Sequence, residues 1–202
     1  MPGRREQRRQ SVRARLEQAG LSLFNRQGYE RTTVRDIASA AGLSPRTFFR
    51  HFGSKENVVF AAAEPELARL VEHVNRQPAG GVRGEVARRA VLDFAADMEA
   101  NRELILTQVR LILETPSLRR RGLEHQARWV DEVGRGLARR GGRSEPAIED
   151  RALAAAVIGA LNAATVSWTM SGGRSSLPDA VNEAFDALRR DLAEARVPAS
   201  GR

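Results

Sequence analysis

Apolar residues recur at helical spacing along most of the 202-residue chain, and no segment alternates in the manner of a strand. Val12, Leu16 and Leu23 mark one stripe, which predicts a helix over residues 10–27 behind a mobile basic arm at residues 1–9. Two short helices should follow between residues 33 and 52. The pattern predicts later helices at 56–77, 82–100, 102–114, 116–140, 147–171 and 178–195. The fold class is therefore expected to be all-α, with about nine helices.

The clearest local signals belong to the two short helices. Thr33 occupies an N-cap position, and Asp36 three residues later can complete a capping box. Gly42 follows the last periodic residue of the first short helix, where a left-handed C-cap favours glycine. Ser44 caps the second short helix, and Pro45 suits its first position because no amide donor is needed there. These signals predict two helices joined by a tight turn.

Such a pair is a helix-turn-helix, whose second helix enters the major groove of DNA. Phe48 and Phe52 point to the core of this unit, which leaves Arg46, Thr47, Phe49, Arg50 and His51 on the outer faces. The string GLSPRTFFRHFGSKENVV closely resembles the DNA-binding segment of TetR-family transcriptional regulators. The matching residues are Gly42, Ser44, Thr47, Phe49, Phe52, Lys55 and Glu56. The family usually has Tyr in place of Phe49, so a phenolic hydrogen bond to phosphate is lost here.

The outward residues supply the candidate DNA contacts. Arg46 is the predicted base contact, because a guanidinium matches the O6 and N7 acceptors of guanine. Thr47 and Phe49 are expected to touch a thymine methyl group or a sugar, and the resemblance implies phosphate contacts from His51 and Lys55. The full predicted set is Thr33, Arg35, Ser44, Pro45, Arg46, Thr47, Phe49, Arg50, His51 and Lys55. A solvated polar face without a partner is the alternative.

The charge distribution agrees with a double-stranded DNA partner. The formal net charge is +8, and residues 1–55 hold 12 basic and 4 acidic residues, while the remainder holds 21 of each. The whole positive excess thus lies in the segment with the helix-turn-helix. A polyanion suits this segment, because each neutralised phosphate releases condensed counterions. A solvated basic terminus is the alternative.

Loop signals and the resemblance together divide the chain into three parts. We expect a helix-turn-helix DNA-binding domain at residues 1–56, a connecting helix at 57–77, and a ligand-binding and dimerisation domain at 78–202. Pro65 should bend the connecting helix or break it into two segments.

The last two long helices carry a candidate homodimer interface. Alanines at i+4 intervals leave a shallow surface for close helix approach, and larger apolar residues adjoin them. The predicted set is Ala152, Leu153, Ala156, Ala160, Ala164, Trp168, Phe185 and Leu188. The core of a monomer is the alternative, and the resemblance favours the dimer because TetR-like regulators pair these helices. Two-fold symmetry would demand a palindromic operator.

The resemblance also implies a small-molecule effector bound among the middle helices. The predicted lining is Phe94, Met98, Leu106, Val109, Arg110, Arg128, Trp129, Val133 and Trp168, with core packing as the alternative for each. Residues 110–129 resemble a TetR subgroup with acyl-CoA-like ligands, which implies that Arg119, Arg120 and Arg121 meet ligand phosphates. The implied protein is a repressor released by its effector. An activator or a constitutive DNA-binding protein is the alternative.

Other function classes find little support in the sequence. The absence of Cys excludes disulfides and thiolate metal sites, and no apolar signal segment precedes the first helix, so a cytoplasmic protein is expected. The uncharged stretch 152–170 includes polar residues and many alanines, which favours a buried helix over a membrane span. His51, His73 and His125 are scattered, and no nucleophile, metal-ligand or phosphate-loop motif occurs. No catalytic residue, metal or cofactor is expected, and an all-α enzyme is a remote alternative.

Overall fold

The computed structural model describes residues 3–78 and 80–194; residues 1 and 2 of the predicted arm, the last residue of the predicted helix 178–195 and the residues after it lie outside them. The described residues contain helices and no strand, which confirms the all-α prediction. The helices are α1 (Arg4–Gln27), α2 (Val34–Ala40), α3 (Pro45–Phe52), α4 (Glu56–Val59), α5 (Ala63–Arg76), α6 (Arg83–Ala100), α7 (Arg102–Glu114), α8 (Pro116–Arg140), α9 (Ile148–Met170) and α10 (Leu177–Glu194). Helix α4 is a single turn, so the described residues hold nine longer helices.

The first compact unit comprises the described residues up to 65 together with Thr107–Gly122. Helix α1 packs against α2, α3 and α4, and Gly20 allows a close approach to α4, since a Cβ there would lie 2.6 Å from Val58 Cγ1. The later part of α7 and the start of α8 add Leu111 and Leu118 to the same core. Large side chains buried in this core include Leu16, Phe24, Tyr29, Ile37, Phe48, Phe52 and Leu118.

The second compact unit comprises Glu66–Leu106 and the described residues from 123 onward. Within it, α6, α9 and α10 pack against one another, and Phe94 of α6 and Trp168 of α9 are buried. The carboxylate of Asp150 is fully buried at the start of α9 and accepts hydrogen bonds from Arg83 and Arg143, the latter at 2.6 Å and 2.7 Å. This cluster ties the start of α6 and the loop before α9 to one carboxylate.

The first helix begins earlier than the apolar pattern predicts. Helix α1 starts at Arg4, with Gly3 at its N-cap, rather than at Gln10. Residues 4–10 contain no apolar residue, so periodicity gives no signal there. Arg, Glu and Gln are nevertheless good helix formers, and they extend a helix that is already nucleated. The prediction of a mobile arm was therefore wrong for residues 4–9.

The connecting helix is broken, but not at Pro65. Helix α4 ends at Val59, and residues 60–62 form turns before α5 begins at Ala63. Pro65 lies in the first turn of α5, where a missing amide donor costs little because that amide has no intrahelical partner. The break predicted from Pro65 occurs just before it.

The two compact units differ in outline from the division at 1–56, 57–77 and 78–202. Residues 57–65 and 107–122 belong to the first unit, because Val58, Leu111 and Leu118 are buried in its core. The three-part functional division stays a prediction.

Helix α9 is long and apolar enough to cross a membrane by length and composition alone. Half of its apolar window is buried inside the protein, which favours the predicted core helix.

Candidate nucleic-acid interface

The start of α2 is fixed by reciprocal hydrogen bonds between Thr33 and Asp36. The Asp36 amide donates to Thr33 Oγ1 at 3.1 Å, and the Thr33 amide and hydroxyl donate to Asp36 Oδ2 at 2.8 Å and 2.7 Å. The hydrogen bonds from Thr33 lower the pKa of Asp36 below its usual value. The predicted capping box is confirmed, and it leaves Thr33 exposed at the helix start.

The turn and the cap of α3 follow the sequence signals closely. Gly42 has φ 63°, a left-handed conformation that favours glycine, and the Leu43 amide donates to Ala38 O at 2.8 Å. Ser44 Oγ accepts from the Thr47 amide at 3.2 Å, and Pro45 occupies the first helical position. These contacts fix the entry angle of α3 relative to α2.

Helix α3 separates a buried aromatic face from an exposed polar one. Phe48 and Phe52 lie in the core with ring centroids 5.6 Å apart. Phe49 packs edge-on against Phe48 and remains 55% exposed, an unusual position for a large apolar side chain. Pro45, Arg46 and Arg50 are exposed on the same helix, and Arg35 is exposed on α2. The structure thus presents two guanidinium groups and an aromatic ring on the outer side of one short helix.

Besides the helix caps Thr33 and Ser44, Lys55 and Thr47 of the predicted set are also engaged with the protein. The Lys55 ammonium donates to Tyr29 O at 2.9 Å and lies 4.0 Å from the centroid of the Tyr29 ring. The Thr47 hydroxyl lies 3.0 Å from Ser44 Oγ, so mainly its methyl group is left for an outside contact. The phosphate contact expected of Lys55 stays a prediction, and it would use the remaining N–H donors of the ammonium.

His51 is half-buried near the end of α3. Partial burial lowers the pKa of His51, and the positive charges of Arg50, Arg9 and Arg13 lower it further. The free protein therefore favours a neutral imidazole at this position. A DNA phosphate would reverse the effect by attracting the protonated ring.

Sequence reasoning missed the arginines of α1 that hold the helix-turn-helix. Arg15 Nη2 donates to Ala41 O at the end of α2 at 2.5 Å. Arg13 donates to His51 O at 3.2 Å and to Ala61 O at 3.3 Å. Both residues precede their acceptors by more than 25 positions, so no local pattern could reveal these bonds.

The candidate effector residues are divided between the two units. Phe94 and Trp129 of the second unit meet edge to face with ring centroids 5.6 Å apart, and Phe94, Val133 and Trp168 are fully buried there. Met98 and Leu106 are half-buried, and Arg128 is exposed, in the same unit. Val109 and Arg110 belong to the first unit, where Arg110 is exposed. Their effector role stays a prediction.

Only part of the predicted dimer stripe on α9 is exposed. Ala152 and Ala156 are exposed, whereas Ala160, Ala164 and Trp168 are buried within the second unit. Each step of four residues turns about 40° past a full helical turn, so the stripe drifts from surface into core. These three residues are therefore core residues rather than surface residues. Leu153 and Phe185 are half-buried, and Leu188 is 40% exposed.

A histidine–carboxylate pair in the second unit also escaped prediction. His73 Nε2 of α5 lies 2.9 Å from Asp97 Oδ2 of α6, beside the edge of the Phe94 ring. Within residues 3–78 and 80–194, no group of three His, Asp or Glu side chains is placed to hold a metal ion.

Two family models match different parts of the chain. The model of bacterial regulatory proteins of the tetR family matches residues 17–62, which include α2 and α3. The model of the MftR C-terminal domain matches residues 84–193, more than half of the chain.

Individual relatives agree with both models. The regulator TcmR of Streptomyces glaucescens is 38% identical over 149 residues, covering 70% of this chain and 65% of TcmR. The putative mycofactocin biosynthesis regulator MftR of Mycobacterium tuberculosis is 26% identical over 185 residues, covering 92% of this chain and 93% of MftR. Thermus thermophilus FadR, a TetR-family repressor solved with lauroyl-CoA, has a similar fold, with a TM-score of 0.61, 24% identity, and 94% and 100% of the two chains covered. The helix-turn-helix, its capped recognition helix and the matched C-terminal domain place this chain in the TetR family of bacterial transcriptional regulators.

Proposed function

We propose that the protein acts in the cytoplasm as a dimeric repressor that binds a palindromic operator through α3 and is released by a small molecule. The observation that carries this proposal is the exposed face of α3, where Arg46, Phe49 and Arg50 stand on a helix fixed by Ser44 and Gly42. An exposed aromatic ring stabilises the fold little, because it remains in contact with water. Its position between guanidinium groups is suited to contact with a DNA groove.

The residues on this face have different roles in the proposed complex. Arg46, in the first turn of α3, reads a guanine, because the N-terminal residues of a recognition helix contact base edges. Phe49 contacts a thymine methyl group or a sugar. Arg35, Arg50 and His51 contact phosphates, which set the register without reading sequence. Thr33 and Ser44 cap the starts of α2 and α3, and in the complex they lie next to the DNA backbone.

The test is a fluorescence-anisotropy titration against DNA from the protein's own upstream region and against random duplex, at several salt concentrations. Arg46→Ala should weaken operator binding by about 1–3 kcal/mol and relax the preference at one base pair. Arg139→Ala is the matched control, because it removes an exposed arginine from α8 in the second unit. Equal binding of operator and random duplex by the wild type would contradict the proposal.

Dimerisation is proposed through the exposed face of α9 and the neighbouring end of α10. Ala152 and Ala156 lie on this face, Ile148 is 83% exposed at its start, and Leu192 of α10 is 71% exposed. Ala156→Arg should give monomers with weak operator binding in sedimentation and anisotropy experiments. Ala96→Arg, an exposed position on α6, is the control and should leave the dimer intact.

The effector is proposed to be acyl-CoA-like. The fold shared with FadR, which was solved with lauroyl-CoA, supports this class as the first to test. Buried Phe94, Val133 and Trp168 supply apolar surface in the second unit. Lauroyl-CoA added to the operator complex should lower the anisotropy, and coenzyme A alone should not. If no acyl-CoA dissociates the operator complex, acyl-CoA-like molecules are excluded as the effector. The proposed operator binding is not affected by that result.

A further inference from the structure

The C-terminal end of α3 is held by side chains from other helices. The last four carbonyl groups of a helix have no intrahelical partner and need an outside donor. His51 O accepts from Arg13 Nη1 at 3.2 Å, and Phe52 O accepts from the side-chain amide of Asn57 on α4. Contacts at the C-terminal end of α3 thus hold the helix whose exposed face carries Arg46, Phe49 and Arg50.

Asn57 is itself oriented by Arg121, near the start of α8. Arg121 Nη2 donates to Asn57 Oδ1, and its guanidinium carbon lies 5.9 Å from the centroid of the Phe60 ring. A side-chain amide has one acceptor oxygen and one donor nitrogen. Only one orientation places the oxygen against the guanidinium and the nitrogen against the Phe52 carbonyl. Arg121 therefore selects the orientation in which Asn57 caps α3.

Arg13 completes the arrangement from α1. Its guanidinium lies 4.6 Å from the centroid of the Phe52 ring and also donates to Ala61 O at 3.3 Å. Arg13 and Arg121 thus place positive charge near the C-terminal end of the helix dipole of α3, where cations are favourable. Arg13, Asn57 and Arg121 all belong to the first compact unit.

We propose that Arg121, acting through Asn57, is a positioning residue that fixes the orientation of α3 for operator recognition. This inference rests on the proposed operator binding. It gives Arg121 a different role from the ligand-phosphate contact that its place in the Arg119–Arg121 triplet suggested. Base readout requires each side chain to lie within hydrogen-bond reach of a base edge, whereas non-specific binding depends mainly on charge. Loss of the anchor should therefore reduce specificity more than affinity for random DNA.

The experiment compares Arg121→Ala with Arg120→Ala, which removes the same charge from an exposed neighbour on α8. Arg121→Ala should lower operator affinity roughly tenfold, the equivalent of one hydrogen bond to a charged group. Its affinity for random duplex and the slope of affinity against salt should match those of Arg120→Ala. Arg121→Lys, which keeps one donor and the charge, should recover part of the specificity.

Asn57→Asp separates the two halves of the contact. The carboxylate keeps the pairing with Arg121 but cannot donate to the Phe52 carbonyl, so operator specificity should fall as it does in Arg121→Ala. The double variant Arg121→Ala with Asn57→Ala should be no worse than either single variant, because both act through one hydrogen-bond chain. Thermal unfolding of each variant measures any loss of fold separately.

Several results would overturn the inference. An unchanged ratio of operator to random affinity in Arg121→Ala would remove the positioning role. A salt slope lower by about one phosphate contact than that of Arg120→Ala would make Arg121 a direct DNA contact. If Arg121→Ala loses the response to acyl-CoA but keeps its operator specificity, Arg121 contacts the effector and is not a positioning residue. A wild type without operator preference would contradict the proposed function itself.

Discussion

The arginines around the helix-turn-helix in the first unit and those around Asp150 in the second unit bind different kinds of acceptor. In the first unit, Arg13 and Arg15 donate to backbone carbonyl groups at helix ends, and Arg121 donates to a side-chain amide. In the second unit, Arg83 and Arg143 share the carboxylate of Asp150. These arginines of the first unit bind neutral acceptors, and the Asp150 cluster binds an anion, although Arg140 of the second unit also donates to the carbonyl oxygens of Asn75 and Pro78.

This difference affects the electrostatic potential outside the protein. A guanidinium bound to a carbonyl keeps its full charge, whereas one bound to a carboxylate is largely cancelled beyond the pair. The basic excess of residues 1–55 thus survives folding as positive potential. The remainder of the chain has 21 charges of each sign and no net excess, and ion pairs such as those of Asp150 cancel part of its charge locally. The arginines bound to carbonyl oxygens contribute both to stability and to the attraction of a polyanion. The arginines paired with Asp150 contribute to stability.

The largest expected effect is on the buried carboxylate. Asp150→Asn should lower the free energy of unfolding by about 3 kcal/mol, because Arg83 and Arg143 lose their counter-charge. Equilibrium unfolding in urea measures the change. Glu149→Gln is the control, since Glu149 also pairs with Arg143 but its side chain is 51% exposed, and its loss should cost under about 1 kcal/mol. Similar losses in the two variants would erase the contrast between buried and exposed pairs.

A smaller effect is expected at Arg15. Arg15→Ala should lower the free energy of unfolding by about 1 kcal/mol, because the Ala41 carbonyl loses its donor. Arg15→Gln keeps an N–H donor without the charge, so thermal unfolding should show a smaller loss. Both variants should weaken binding to random duplex, since both remove a charge for which the described part of the chain provides the Ala41 carbonyl and no carboxylate partner. Unchanged random-duplex binding would show that the charge of Arg15 does not reach DNA.

The pH dependence of operator binding should report His51. Burial and the nearby arginines lower the pKa of His51 in the free protein, and a phosphate would raise it, so binding takes up a proton. Operator affinity should therefore fall as pH rises from 6 to 8, by less than about tenfold, since a shift of one pKa unit corresponds to tenfold. His51→Gln should flatten the profile in anisotropy titrations. A slope that persists in this variant would assign the proton elsewhere.

The same group affects stability with the opposite sign. Because the folded pKa of His51 lies below the unfolded value of about 6.5, the unfolded state binds more protons in this range. The contribution of His51 to the free energy of unfolding should thus rise with pH and be lost as pH falls below about 6.5.

The smallest effect should appear in the response to salt. Added NaCl screens repulsion among the arginines of the first unit and weakens attraction in the exposed pairs of the second. Hydrogen exchange should show slightly stronger protection in α2 and α3, and slightly weaker protection at the start of α9. The expected changes are a few tenths of a kcal/mol. Changes of the same sign in both regions would contradict the comparison.

Local signals made the helix-turn-helix predictable. Thr33 with Asp36, Gly42 and Ser44 each determine a hydrogen bond or a backbone angle within three or four residues, and the structure contains them all. Such signals need no knowledge of the rest of the chain. The outward set on α3 followed because burial of Phe48 and Phe52 leaves the other faces exposed.

Long-range contacts were not predictable in this way. Asp150 and Arg83 are 67 positions apart, and Arg121 and Asn57 are 64 apart, so no spacing rule relates them. The family resemblance implied a ligand phosphate as the partner of Arg121, and the fold supplied Asn57 within the chain. The alanine stripe on α9 passes from surface to core for a geometric reason, since a four-residue repeat is longer than a helical turn.

Lys55 is the single lysine of the chain, and it is the N-cap of α4. A lysine-specific protease therefore has one peptide bond to cut, between Lys55 and Glu56. Since the Lys55 ammonium is bound to Tyr29, cleavage requires local opening of this segment. The rate at which the intact chain disappears into two fragments would thus measure that opening directly, with no label and no substitution, in the presence or absence of DNA.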